Sequence, residues 1–262
     1  MLVFLLIAFL WSWIFWLIGL HHLSAGITDE TMDRFARYFY IGVYGPSISA
    51  IITTYYFDGF RGVIALLKKL LLWKTSLVIY LVIFFLPLLL IAAGIGIHAL
   101  FIDNVGHFDR SAITAAPLVL WAALFAGPLG EELGWRGFLL PAFQNSYSPV
   151  KSSLIIGVIW YCWHIPLFFA PFGTLVSGAT LTILPLITYL AMIVCLSCLC
   201  TWAVNRSKGS VLIAILTHLF ANAGLGLLFF PQMRDSYKLI YLLSTPAIII
   251  FTLFIAIRTR LR

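Results

Sequence analysis

The chain has 262 residues, of which 63% are hydrophobic and only 10% charged, where a soluble domain carries about 25% charged residues. That composition excludes a single soluble core and makes the bilayer the solvent that fits. The net charge of +7 does not indicate nucleic acid as a partner, because the basic residues sit between apolar runs and form no single patch.

A membrane helix needs about 20 mostly apolar residues. On that rule eight spans are predicted, at roughly 2–20, 38–57, 76–102, 112–127, 152–170, 181–203, 210–230 and 239–257. The first lacks a basic n-region and a small-residue cleavage site. It also exceeds the roughly 7–15 residues of a signal-peptide core, so it reads as a membrane helix. After the second span, Val63–Trp73 with Lys68 and Lys69 reads as a short amphipathic helix lying on the membrane surface. The fourth span is extended by a helical stretch through 131–140. In the sixth, Cys195-x-x-Cys198-x-Cys200 has metal or redox spacing, but no second Cys pair or His completes a ligand set. With Cys162, these read as ordinary membrane-helix cysteines. The expected fold is all-α: a polytopic membrane protein of about eight transmembrane helices around a polar intramembrane site, with 1–262 as one domain.

The connecting segments alternate in charge. Arg61, Lys68, Lys69 and Lys74, then Lys151, then Arg206 and Lys208, and finally Arg258, Arg260 and Arg262 fall on one side of an eight-helix arrangement. Asp29, Glu30, Asp33, Asp103, Asp109 and Asp235 fall on the other. The excess of Lys and Arg then puts both termini in the cytoplasm.

Ionisable residues at membrane depth are costly and mark function by default. They cluster in three segments: Glu131, Glu132 and Arg136; His164, one turn after Trp160; and His218 with Asn222. Residues four apart share a helix face, so Glu132 and Arg136 form an ion pair in the favourable order. Glu131 then points elsewhere and is free to face a cavity. His218 and Asn222 present an imidazole and an amide side by side. Trp160 shares a face with His164 and walls the site, and Pro166 opens the helix just beyond.

Two chemistries follow from one carboxylate, two imidazoles and an amide. Glu131 and His164 would deprotonate a water while His218 and Asn222 donate to the oxyanion. Alternatively, His164 and His218, with Glu131 or Asn222, would bind Zn²⁺ and acidify its water. Taken singly, each residue also has a structural reading, as a buried ion pair or a histidine bonded to a helix carbonyl. All six together favour a site.

Glu-Glu-x-x-x-Arg, aromatic-x-x-x-His and His-x-x-x-Asn occur here in the stretches GPLGEELGWRGFLLP, GVIWYCWHIPLF and TWAVNRSKGSVLIAILTHLFANA. In that order, each on its own helix, they resemble the CAAX protease and bacteriocin-processing family of intramembrane peptidases, related to the Ras-converting CAAX endopeptidases. The resemblance covers about 120–225; the flanking helices match only in hydrophobicity. It implies an intramembrane endopeptidase acting on a peptide or protein substrate in or at the membrane. It also implies Glu131 as general base beside His164, His218 and Asn222 as oxyanion donors or ligands, and Glu132 and Arg136 as support. Trp160 stands where Phe is commoner. A short chain with no soluble domain looks bacterial and would sit in the cytoplasmic membrane, where prenylated CAAX substrates are not expected. The competing readings are a non-catalytic immunity or regulatory scaffold and a proton-coupled transporter.

Overall fold

A computed structural model describes residues 1–101, 111–178, 181–226 and 237–262. Asp103, His107, Asp109, Arg110, Arg234 and Asp235, some of them used in the charge argument, lie outside the described residues. Among the described residues there is no strand. The helices are α1 (Leu2–Leu23), α2 (Asp29–Val43), α3 (Gly45–Lys68), α4 (Leu77–Phe101), α5 (Ser111–Phe125), α6 (Pro128–Glu132), α7 (Leu140–Gln144), α8 (Pro149–Trp163), α9 (Ile183–Arg206), α10 (Val211–Gly226) and α11 (Tyr237–Thr259). Leu2–Leu23, Asp29–Leu71, Leu77–Phe101, Ile183–Arg206 and Leu242–Thr259 are long and apolar enough to cross a membrane, and Val211–Ala223 is a shorter apolar helix. The protein is an all-α polytopic membrane protein.

Each predicted span overlaps a helix, but the second is divided. Pro46 lacks an N–H and fits only the first turn of a helix, so a new helix starts at Gly45. The preceding α2, opened by a reciprocal Thr28–Thr31 capping box, is a separate amphipathic element. Its polar first half hid it from a search for apolar runs. Helix α1 then donates side-chain hydrogen bonds to carbonyls in the last turn and a half of α2. Trp16 Nε1 donates to Phe39 O at 3.1 Å, Trp11 Nε1 to Ile41 O at 2.9 Å and Ser12 Oγ to Gly42 O at 2.7 Å.

Helix α3 kinks at Gly59, whose φ of 65° and ψ of −167° suit only glycine. Beyond the kink the chain runs as the expected amphipathic segment, burying Val63 and Leu66 and exposing Arg61 and Lys68, then closes in a 3₁₀ turn at Lys69–Leu71. The cationic segments meet at one end of the bundle. Ser210 Oγ donates to the Leu72 carbonyl, Arg206 Nε to Arg262 O at 2.6 Å and Asn205 Nδ2 to Leu261 O at 2.7 Å. Leu261 also packs in one buried cluster with Val150, next to Lys151. The four cysteines are free thiols; Cys195, Cys198 and Cys200 are buried in α9.

Candidate active site

The site segment is built by its glycines and prolines. Pro128 starts α6, and the helix widens into a π-helical stretch, Leu133–Leu139, before α7. Such π segments are rare and concentrate at functional sites. A Cβ on Gly130 would lie 2.8 Å from Val43 O, and one on Gly134 would lie 2.5 Å from the Pro46 backbone. Only bare glycine lets this segment lie directly on the α2–α3 junction.

Glu131 and Glu132 are both buried, with different surroundings. Glu131 Oε2 accepts from the indole of Trp160 at 2.5 Å and from that of Trp135 at 3.3 Å. Glu132 Oε1 accepts from Arg136 Nη1 at 3.0 Å and from His218 Nδ1 at 2.8 Å. The Arg136 guanidinium also stacks 4.4 Å from the centre of the Trp160 ring. The Glu132–Arg136 pairing expected from spacing is present, and Glu132 adds a tie to α10 that spacing did not suggest.

The hydrogen bonds fix both histidine tautomers. His164 Nδ1 lies 2.8 Å from Trp160 O, and a carbonyl only accepts, so Nδ1 carries the hydrogen. His218 Nδ1 likewise faces the Glu132 carboxylate. In their neutral forms both rings therefore keep the Nε2 lone pair for the cavity. His164 is the residue that ends α8, and α1 holds that end. Trp13 Nε1 donates to Trp163 O at 2.9 Å, and Trp16 packs edge-on against Trp163 with ring centres 4.6 Å apart.

Glu131, His164, His218, Asn222 and Trp160 line one cavity of about 360 Å³, whose other walls include Leu86, Leu90, Ile193 and Leu196. Glu132 and Arg136 do not line it. A methyl on Gly127 would lie 2.9 Å from Glu131 Oε1 and 3.5 Å from both Asn222 Nδ2 and His218 Cε1, so three of the four predicted site residues converge on one point. Sequence reasoning missed Trp135, although it stands four residues after Glu131 on the same face.

For Zn²⁺, the two Nε2 lone pairs have the right chemistry. Among the described residues, however, no group of three or more His, Cys, Asp or Glu side chains is placed to hold a metal ion, and Glu131 Oε2 is already bonded to two indoles. As arranged, His164, His218 and Glu131 do not form a ligand set for the ion.

Residues 113–224 match the family model for the Rce1-like type II CAAX prenyl endopeptidases. Over this region the chain is similar to the Rce1-like family. A CAAX prenyl protease 2 from Methanococcus maripaludis is 30% identical over 125 residues, covering 48% of this chain and 44% of that relative. The chain thus spans less than half the length of the curated relative it matches. The Rce1-like region runs from α5 into α10 and carries Glu131, Glu132, Arg136, Trp160, His164, His218 and Asn222. Helices α1 to α4 and α11 lie outside it.

Proposed function

We propose that the protein is an intramembrane endopeptidase that hydrolyses a peptide bond of a hydrophobic or membrane-associated substrate in this cavity. The observation that carries the reading is the convergence of Glu131 Oε1, Asn222 Nδ2 and the His218 ring around Gly127, on a cavity that His164 shares. Glu131 takes a proton from water as its oxygen attacks the scissile carbonyl, and returns that proton to the departing amine. The two indoles hold Oε2, leaving Oε1 for the water. The Nε2 lone pair of His164 accepts the water's second hydrogen and orients it. The Asn222 amide, a donor in any protonation state, stabilises the oxyanion. Because Glu132 holds the His218 Nδ1 hydrogen, only Nε2 of that ring is left for the cavity, and the oxyanion falls mainly to Asn222. The apolar walls exclude bulk water and strengthen each of these interactions.

Residues 1–262 act as one membrane domain in this reading. The end gathering Lys69, Arg206 and Arg262 faces the cytoplasm under the positive-inside rule, with both termini there; cysteine labelling from either side of sealed vesicles tests the orientation. For activity, wild type and Glu131→Gln are reconstituted in liposomes and assayed on quenched hydrophobic peptides. The panel includes one peptide ending in a prenylated CAAX sequence, the substrate type that the relative's name indicates for that protein. Cleavage by wild type and none by Glu131→Gln is expected, and cleavage confined to the prenylated peptide would identify the substrate class. Equal cleavage by both proteins would remove Glu131 from the chemistry.

A further inference from the structure

The turn Lys69–Leu72 lies outside the Rce1-like region, yet it is tied to two of the three helical segments that build the site. Pro141 has no N–H, so in an α-helical count the Gly137 carbonyl loses its partner four residues on. Lys69 Nζ, half-buried, donates to that carbonyl at 2.7 Å. Three residues later the Leu72 carbonyl accepts from Ser210 Oγ. The same Ser210 oxygen caps the start of α10 by accepting from Ile213 N at 3.2 Å. One short turn therefore holds the π segment with one hand and the start of α10 with the other. Between them the contact is tight: a Cβ on Gly137 would lie 3.2 Å from both Leu66 and Val211.

These two segments are the ones whose relative placement the site needs. Arg136 immediately precedes Gly137, and its partner Glu132 bonds His218 on α10 at 2.8 Å. We infer that Lys69 is a positioning residue: with Leu72 it clasps the π segment to the start of α10 and so sets the spacing between Glu131–Glu132 and His218. Lys69 touches neither the cavity nor any group in the chemistry. An orphaned carbonyl on buried Gly137 is costly, and the π segment would shift to satisfy it elsewhere, carrying Arg136 and the carboxylates with it.

The catalytic half of this inference rests on the peptidase reading; the structural half does not, and the test separates them. Full-length wild type, Lys69→Gln and Lys69→Arg in liposomes are compared by hydrogen exchange with mass spectrometry and by steady-state cleavage. In Lys69→Gln, exchange is expected to quicken several-fold in 128–144 and at the start of α10 while α9 stays unchanged, and kcat to fall about tenfold or more with KM held. Lys69→Arg, which keeps a long cationic donor, is expected to restore most of both. Unchanged exchange in 128–144, acceleration spread equally through α9, or an Arg variant as impaired as the Gln variant would overturn the clasp. If Lys69→Gln does not fold, Ser210→Ala removes the other tether and is read by the same criteria. A wild type with no peptidase activity would sink the proposed function while leaving the exchange result decisive for the clasp.

Discussion

Glu131 and Glu132 are adjacent, chemically identical and equally buried, but the helix sends them to opposite kinds of surroundings. Glu131 faces a cavity and is held by two uncharged indole donors, which leave its charge uncompensated and one oxygen turned toward Asn222 and His218. Glu132 faces protein, where a buried guanidinium neutralises it and a hydrogen bond to the His218 ring binds α6 to α10. A buried carboxylate paired with a cation mainly supports structure, and one held only by neutral dipoles keeps basicity to spend. Two neighbouring residues thus divide architecture from chemistry by a rotation of about 100°.

The comparison breaks most visibly at Glu132. Glu132→Ala leaves Arg136 buried without its partner, at an expected cost of about 3–5 kcal/mol. Thermal melting in detergent checks this, and an unshifted melting temperature would remove the architectural role. Trp160→Phe sharpens the other side. It deletes the shorter indole bond to Glu131 and keeps a ring under Arg136, so the rate is expected to fall about 10- to 100-fold, the worth of a hydrogen bond to a charged group, with little change in melting. Gly127→Ala pushes a methyl to 2.9 Å from Glu131 Oε1. It is expected to slow cleavage by about tenfold, a smaller effect because only one oxygen is displaced. Cys198→Ala, in α9, is expected to change the rate less than twofold and stability by about 1 kcal/mol or less. A large rate loss there would reopen the cysteine cluster as functional.

What could be read from sequence tracks the range of the interaction. Apolar length located the helices, and the i,i+4 rule found the Glu132–Arg136 pair, because both depend only on near neighbours. The division of the second span at Tyr44–Pro46 was obscured because hydrophobicity continues across it. The bond from Glu132 to His218 spans 86 residues, and the Trp160–Glu131 bond spans 29. Helical periodicity says which residues share a face but not which face of another helix it meets. Lys69 looked like a surface cation because its partner, the Gly137 carbonyl, lies 68 residues away. One His₂-carboxylate composition serves a ligand set or a general-base site according to how the groups are turned, which spacing along the chain does not give.

The division of roles between the two carboxylates is tested most directly by measuring cleavage rate and melting temperature side by side for Glu131→Gln and Glu132→Gln. In Glu131→Gln the amide oxygen still accepts from the indoles, so melting is expected near wild type with no cleavage above the lipid blank. Glu132→Gln is expected to melt well below wild type, because Arg136 loses its counter-charge. Cleavage retained by Glu131→Gln, or melting lowered equally in both variants, would contradict the account.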